Sequence, residues 1–417
     1  KQIYVWNFKG ELLWNKQLED KSHVCTVLDD INNDDFLEII AYTIDSKIFV
    51  LDNLGNNIIG WPQEVGGFDV PGLRCPAIAD FDGDGLKEIV MTKQIDAGFE
   101  PGDIWRKFKG SLTVYNHDGS IRWVKNWPQE TQDTKYYSYG PRTSPVIGDI
   151  NNDGELEIVV SHEVFNANDF NDRIYKNRYI VYDKKGDVVP GWPVDTDTLG
   201  DLHISPVIAN IDDDPELEII GQGKKDIYVW NHDGTLLFNP IEINPDILGE
   251  SIIGTPSVAD VTGDGNPDII VFSKKNCRIA HCEPDFKLYI INNDGTLYQQ
   301  NWPKIIKGYI DNAPAIYDID NDGKTNIVFY DSTYMYVWDL ETDYDQSTME
   351  WPTYRHDHQL TGNYNFGFIE PKPKSRLENT GEEIIFGTLT LKIQKWNEDQ
   401  WIDEKIIFED SGELGSG

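Results

Sequence analysis

Six short acidic loops carry the residue types that can hold a metal ion. Each loop places oxygen-bearing side chains at relative positions 1, 3, 5 and 9, with an apolar residue at position 2. Ca²⁺ is a hard cation that takes six to eight oxygen ligands, and alternating side chains on a tight turn can converge on one. The pattern therefore predicts calcium ligands, up to six ions in all. In chain order, loops 1 to 6 supply Asp30, Asn32, Asp34 and Glu38; Asp80, Asp82, Asp84 and Glu88; Asp149, Asn151, Asp153 and Glu157; Asn210, Asp212, Asp214 and Glu218; Asp260, Thr262, Asp264 and Asp268; and Asp318, Asp320, Asp322 and Asn326.

An ordinary acidic β-turn is the alternative interpretation of these loops. Asp, Asn and Gly are turn formers, so one copy alone is equally typical of a turn. Six copies in one register favour calcium. Position 6 is glycine in four loops, which permits a sharp turn; loops 1 and 4 have Asp35 and Pro215 there instead, and loop 6 ends in Asn326 rather than an acid.

The charge balance excludes one class of partner. The 417 residues include 72 acidic and 36 basic side chains, a formal net charge of −36. Such a chain repels phosphate, so we expect no nucleic-acid binding. No apolar run approaches the roughly 20 residues of a membrane span, so we expect no direct membrane insertion. The chain starts at Lys1 without Met or a signal peptide, which favours a mature product or an excised part of a longer polypeptide.

The segments around the loops predict the elements that position them. Each loop lies between two β-rich runs, here strands A and B. A Tyr-Val-Trp-Asn type of run (strand C) follows, then an Asp-Gly turn and a run that ends near Trp-Pro (strand D). Asp-Gly between β-rich runs is a strong hairpin signal. The first residues of successive loops are 50, 69, 61, 50 and 58 positions apart, as four-stranded propeller blades would be.

The predicted fold is therefore all-β, a seven-bladed β-propeller with a short C-terminal β extension. Six units carry all four strands, and residues 1–20 supply only strands C and D of a partial N-terminal blade. Either the ring closes with this incomplete blade, or more of the blade lies upstream. The predicted domains are the propeller at 1–366, a linker at 367–376 and a β-strand segment at 377–417. That last segment suits a truncated β-sandwich or a strap packed on the propeller.

The repeated pairing of loop and strand resembles the FG-GAP/VCBS family of calcium-loop β-propellers, found in integrin α-subunits and secreted microbial proteins. The resemblance covers residues 1 to about 366, and the stretch Trp351-Pro352-Thr353-Tyr354-Arg355-His356-Asp357 is similar to the family's closing motif. It implies that loop positions 1, 3, 5 and 9 are the calcium ligands. It also implies an extracellular or cell-surface location, within a larger surface or secreted polypeptide.

Two cysteine pairs bear weakly on the compartment. Cys25 and Cys75 occupy equivalent places before loops 1 and 2, where they either pair or remain two buried thiols. Cys277 and Cys282 flank a short loop that suits a local disulfide. Disulfides and bound calcium both favour a location outside the cytoplasm.

The order of the strands predicts that a ligand binds on the side of the ring opposite the acidic loops. The A–B loops and C–D turns share one face, and the long B–C and D–A connections share the other. Aromatic and cationic side chains on such loops suit a glycan or protein ligand; alternatively, these loops pack on each other and cover the channel. The candidate ligand-binding residues are Arg74, Trp105, Tyr136, Tyr137, Tyr139, Arg142 and His203.

No catalytic residue can be assigned from the sequence. It lacks a Gly-x-Ser-x-Gly elbow, a His-Glu-x-x-His pair and a phosphate-binding glycine loop. The first hypothesis is a non-enzymatic calcium-binding propeller for adhesion or for glycan or protein recognition. The second is a calcium-dependent polysaccharide lyase or related carbohydrate enzyme, and the third is an architectural module of a larger surface protein. Enzymatic activity is left open, with a non-enzyme favoured.

Overall fold

A computed structural model describes most of the chain as β-strands joined by turns. It describes residues 2–7, 9–18, 25–43, 47–64, 74–98, 107–127, 136–138, 140–141, 143–166, 175–199, 204–212, 214–243, 250–275, 286–310, 312–331, 333–357, 359–366, 391–397 and 400–408. The strands are β1 (Gln2–Trp6), β2 (Leu12–Gln17), β3 (Cys25–Asp29), β4 (Glu38–Tyr42), β5 (Lys47–Leu51), β6 (Gln63–Glu64), β7 (Ala77–Ala79), β8 (Glu88–Gly98), β9 (Lys107–Tyr115), β10 (Ile121–Trp127), β11 (Tyr136–Ser138), β12 (Val146–Gly148), β13 (Glu157–Asn166), β14 (Tyr175–Tyr182), β15 (Val194–Asp195), β16 (Val207–Ala209), β17 (Glu218–Gln222), β18 (Asp226–Trp230), β19 (Ile241–Glu242), β20 (Glu250–Ala259), β21 (Asp268–Lys275), β22 (Phe286–Ile291), β23 (Lys304–Ile306), β24 (Ala315–Tyr317), β25 (Lys324–Tyr330), β26 (Met335–Asp343), β27 (Leu391–Asn397) and β28 (Gln400–Phe408).

These strands form successive antiparallel sheets, one for each acidic loop. Sheet 1 is β3–β6, sheet 2 is β7–β10, sheet 3 is β12–β15 with β11 added beside β13, sheet 4 is β16–β19, sheet 5 is β20–β23, and sheet 6 begins with β24–β26. Each acidic loop joins the first and second strands of its sheet, as predicted. The chain is a β-propeller, and the all-β prediction is confirmed; the number of blades stays a prediction.

The sheets pack face to face, and that packing explains the sequence of their strands. All five residues of β17 are buried, because neighbouring sheets cover both of its faces. A strand buried on both faces reads as a continuous apolar run rather than an alternating one. One buried cluster joins sheets 3, 4 and 5 through Val159, Ile219 and Ile269. The core therefore lies between blades.

The first hairpin and the sixth unit differ from the other sheets. Strands β1 and β2 form a two-stranded sheet within the described residues, as the predicted C and D strands of a partial blade. Sheet 6 was expected to end in an antiparallel strand D near Trp351. Instead β27 pairs in parallel with β26, and β28 follows it at the edge. The predicted position of strand D in the sixth unit is therefore wrong, because β27 occupies the place beside β26.

Residues 348–363, which we name the central segment, explain this difference. Their carbonyl and carboxylate oxygens accept backbone N–H groups at the first strand of all six sheets. The donors are Leu28 to Gln359 O (3.0 Å), Ile78 to Thr361 O (3.1 Å), Ile147 to Gly362 O (2.9 Å), Asn210 to Glu350 Oε2 (3.1 Å), Val258 to Trp351 O (2.9 Å) and Ile316 to Pro352 O (2.8 Å). The segment therefore leaves the sheet edge and runs along the inner strands, where Trp351 is buried.

Arg355 anchors the central segment from a fully buried position. Its guanidinium donates to the carbonyl of Pro76 at 2.7 Å and also to the carbonyl of Pro145. A Cβ at Gly362 would lie 2.1 Å from the guanidinium Nη2, so only glycine fits against it. The closing stretch quoted in the sequence is thus a structural element, and His356 and Asp357 are buried within it.

Two further observations bear on the setting of the chain. Cys25 and Cys75 form a disulfide that joins β3 of sheet 1 to the segment just before β7 of sheet 2, with Cα atoms 5.3 Å apart. Cys277 and Cys282 lie outside the described residues, as does the predicted linker at 367–376. In the described part of the chain, we find no helix with the length and apolarity needed to cross a membrane.

Candidate metal centre

The last residue of each acidic loop closes the turn from the following strand. Its side-chain oxygen accepts the backbone N–H of position 2 in all six loops. The acceptors are Glu38 from Ile31 (3.0 Å), Glu88 from Phe81 (2.9 Å), Glu157 from Ile150 (3.0 Å), Glu218 from Ile211 (2.7 Å), Asp268 from Val261 (3.0 Å) and Asn326 from Ile319 (2.7 Å). One oxygen of each carboxylate at position 9 therefore shapes the loop, which leaves its second oxygen to face a positive charge.

The first residue of the loop fixes the turn from the other side. In loop 3, Asp149 accepts the N–H groups of Asp153 at 3.0 Å and Gly154 at 2.9 Å, through different oxygens. Asp318 in loop 6 repeats both bonds, to Asp322 and Gly323. In loop 4, where Asn210 occupies position 1, its amide donates to the carbonyl of Asp214 instead. The loops are thus built by local hydrogen bonds, which ordinary acidic turns also use.

Three loops bring carboxylate oxygens into one cluster. In each, one oxygen from every member lies within 4.8 Å of the others. Carboxylate oxygens at such spacing fit a hard divalent cation, which binds oxygens at about 2.3–2.6 Å. The clusters are Asp80, Asp82 and Glu88 in loop 2, Asp212, Asp214 and Glu218 in loop 4, and Asp318, Asp320 and Asp322 in loop 6.

Burial at position 9 makes these carboxyl groups hard to ionise without a nearby positive charge. Desolvation raises the pKa of Glu88 to about 7 and that of Glu218 to about 8, and the neighbouring aspartates add to the shift. The pKa values of Glu38, Glu157 and Asp268 are raised to about 7 mainly by the same burial. A cation in the loop would offset both the cost of burying the charge and the repulsion from the neighbouring aspartates. The residues present therefore fit a divalent metal.

In loop 2, a basic side chain from a neighbouring strand already lies against the carboxylates. The Arg122 guanidinium, from β10, lies 2.9 Å from Asp82 and 3.3 Å from Glu88. Arg122 also lowers the pKa of Asp82. It would compete with a metal ion for the same oxygens, whereas in the described part of the chain the carboxylates of loop 4 form no such ion pair. Nothing in the sequence pattern points to Arg122, because it lies 40 positions from Asp82, the loop residue that it contacts.

Most of the candidate ligand-binding residues, predicted on the face opposite the acidic loops, lie outside the described residues. Trp105, Tyr139, Arg142 and His203 lie outside the described residues. Tyr136 and Tyr137 lie in β11, whose backbone pairs with Asn166 and Phe165 of β13. Arg74 is only 2% exposed, next to the disulfide-bonded Cys75. The ligand role of these residues therefore stays a prediction.

Comparisons with known proteins found structural similarity only. Searches of protein-family models and of curated proteins gave no match. Among solved structures, BamB from Moraxella catarrhalis is 12% identical, with a TM-score of 0.42 over 76% of this chain and 72% of that one. The biofilm matrix protein Bap1 of V. cholerae is 13% identical, with a TM-score of 0.34 over 78% and 79%. Quinohemoprotein alcohol dehydrogenase from Comamonas testosteroni is 10% identical, with a TM-score of 0.47 over 77% and 66%.

Proposed function

We propose that this chain is a calcium-stabilised, extracellular β-propeller that acts as a recognition module for glycan or protein ligands. One observation carries the proposal: loops 2, 4 and 6 each bring oxygens of three carboxylates within 4.8 Å of one another, and the glutamate at position 9 is buried in loops 2 and 4. Three acids in so small a space repel each other, and a divalent cation would relieve that repulsion. The bound metal would supply charge and fix the turn between the first two strands of a blade.

Two further observations support an extracellular setting and a relationship to the FG-GAP/VCBS propellers. The Cys25–Cys75 disulfide suits an oxidising compartment, where such bonds persist. The six loops in one register support kinship with the FG-GAP/VCBS propellers, and we include that kinship in the proposal. The acidic loops and the long connections lie at opposite ends of the strands, so the metal would hold the scaffold and the other face would meet the ligand.

Calcium removal tests the metal part of this proposal. We expect the metal-free protein to melt at a markedly lower temperature, because a ligand at 100 times its Kd stabilises the folded state by about 2.7 kcal/mol. The measurement is a thermal melt in EDTA and after calcium is restored, together with the calcium content of the purified protein. A melting temperature that does not change with EDTA would reject the metal assignment.

A matched pair of variants in sheet 4 localises the effect. Asp214→Asn removes a carboxylate from the loop 4 cluster, and we expect it to reduce the stabilisation that calcium provides. Asp233→Asn is the control, because Asp233 lies in the C–D turn of the same sheet and bonds only locally to Thr235 in the contacts described. An equal calcium response in both variants would contradict a metal at loop 4.

Recognition and catalysis are separated by direct assays. Binding to glycan arrays and to cells, in calcium and in chelator, tests the recognition module against a purely architectural one. Incubation with uronate polysaccharides tests for lyase activity, which would generate unsaturated products that absorb in the ultraviolet. Such products would overturn the non-enzymatic part of the proposal.

A further inference from the structure

The border of sheets 5 and 6 carries an exposed group of lysines and tyrosines at the end away from the acidic loops. We name Lys274, Lys307, Tyr309 and Tyr334 the lysine–tyrosine seam. Lys274 lies near the end of β21, Lys307 directly follows β23, and Tyr334 immediately precedes β26. We infer that this seam binds an anionic saccharide, with sugar rings on the tyrosines and a carboxylate on the lysines. The inference deepens the proposed recognition function and rests on it.

The tyrosine rings present accessible apolar surface. Tyr309 is 50% exposed and Tyr334 is 40% exposed. Tyr309 packs edge-on against Phe286, with ring centroids 5.5 Å apart, so one part of its ring is held while the rest meets solvent. Exposed aromatic rings with a polar group alongside suit the flat faces of sugars.

A rigid core beneath the seam holds these rings in place. Phe272 of sheet 5 meets Phe329 of sheet 6 at 5.3 Å, and Phe329 stacks on Tyr336 at 4.9 Å. Asn312 donates to the carbonyl of Tyr330 at 2.6 Å, which ties the connection between the sheets to the turn of sheet 6. Binding would therefore cost little ordering of the protein.

The seam is a positive area on a strongly negative chain. The Lys274 ammonium lies 5.2 Å from the centre of the Tyr309 ring and 5.9 Å from that of Phe286, which holds its charge beside the exposed aromatic surface. Lys307, which directly follows β23, is a second lysine at this end of sheet 5, and it is exposed.

The described acids that approach this area are buried and already engaged. Glu250 lies 3.5 Å from Lys287 and accepts a hydrogen bond from the hydroxyl of Ser273. Asp331 accepts the N–H groups of Thr333 and Tyr334 and the hydroxyl of Tyr336 at 2.8 Å. In the part of the chain that the structure describes, the outward charge at the seam is therefore carried by lysines.

A saccharide with carboxylates fits this combination better than a phosphate polymer does. The net charge of −36 repels a dense polyanion at long range. A uronate chain carries at most one charge per ring and offers an apolar ring face to each tyrosine. A carboxylate then pairs with the ammonium groups of Lys274 and Lys307, which act as point charges.

Calorimetry with two matched probes tests the inference. The probes are tri-galacturonate and its fully methyl-esterified form, which has the same rings without the charge, both at a fixed free calcium concentration. We expect the intact chain to bind tri-galacturonate at least tenfold more tightly than the ester. Equal affinity for the two, or no binding of tri-galacturonate at millimolar concentration, would overturn the inference.

Variants assign the binding to the seam. Tyr309→Ala and Tyr334→Ala should each weaken tri-galacturonate binding about tenfold, and Lys274→Gln should remove the preference over the ester. Tyr4→Ala, on the first hairpin, and Lys185→Gln, in the turn of sheet 3, are matched controls that should bind normally. Unchanged binding by seam variants that melt normally would refute the assignment. The EDTA melt is independent of this result, so failure of the seam and failure of the calcium proposal are distinguishable.

Discussion

The same five-residue sequence occurs twice in this chain with different surroundings. Ile3-Tyr4-Val5-Trp6-Asn7 enters the first hairpin, and Ile227-Tyr228-Val229-Trp230-Asn231 enters the hairpin of sheet 4. The local structures agree closely. The tyrosine and tryptophan rings stack at 5.3 Å in both copies, and the asparagine begins the same turn, with N–H bonds to Glu11 and Thr235.

Burial separates the two copies. Trp230 is 2% exposed, because Tyr179 and Trp192 of sheet 3 cover it at 4.9 and 6.3 Å and β17 pairs beside it. Trp6 is 55% exposed, and within the described residues β1 pairs only with β2. The repeat sequence therefore determines strand, turn and ring stacking, whereas the neighbouring blade determines how much those rings stabilise the fold.

The largest expected effect comes from removing each tryptophan in turn. Trp230→Ala should lower the free energy of unfolding by about 3–5 kcal/mol, because a buried aromatic ring leaves both lost contacts and a cavity. Trp6→Ala should cost less than about 1 kcal/mol, as exposed substitutions do. Denaturation in urea measures both. Equal losses of unfolding free energy in the two variants would mean that another segment covers Trp6 in solution. The two copies would then not differ in burial.

This contrast also shows which parts of the architecture could be predicted. The strands, hairpins and acidic loops follow from patterns within about ten residues, so β18 and loop 4 were predictable. The central segment was not, since Arg355 bonds to carbonyls 279 and 210 positions away. The Trp-Pro pattern predicted Trp351 near the end of a strand D, but its partner is Val258 on the first strand of sheet 5. The contact of Arg122 with loop 2 escaped prediction for the same reason.

A second test uses the tyrosine that covers Trp230. The Tyr179 hydroxyl accepts the N–H of Gln222 at 2.8 Å, and burial raises its pKa above the ordinary value of 10. Because the folded state holds this proton more tightly than the unfolded state, the stabilisation is complete below pH 10. It is then lost as pH rises above 10, by about 1.4 kcal/mol per pH unit.

Tyr179→Phe should therefore show a smaller loss of stability between pH 10 and pH 11 than the unmodified chain, measured by urea midpoints at each pH. Tyr4→Phe is the matched control from the exposed copy, and it should leave the alkaline dependence unchanged. If Tyr179→Phe lost as much stability between pH 10 and pH 11 as the unmodified chain, the Tyr179 hydroxyl beside Trp230 would be less buried than the structure indicates.

One contact is common to the first hairpin and sheets 1 to 3. A tryptophan from one sheet donates its indole N–H to a turn carbonyl of the next. The four donors are Trp14 to Asn53 (2.9 Å), Trp61 to His117 (2.9 Å), Trp123 to Lys184 (3.0 Å) and Trp192 to His232 (2.9 Å). Beside Trp192, a Cβ on Gly191 would lie 1.8 Å from the carbonyl of Asp233, which shows how closely the turn approaches.

The smallest expected effect comes from this shared bond. Trp192→Phe keeps most of the ring but removes the donor, and it should cost about 1 kcal/mol because the carbonyl loses its partner in a half-buried place. Trp14→Phe should cost less than about 0.5 kcal/mol, because water can replace the donor at the exposed Asn53. Urea midpoints of the two variants give the difference. A larger loss from Trp14→Phe would mean that the hairpin is held to sheet 1 mainly by this bond and not by Ile3 and Leu18 packing against Phe49.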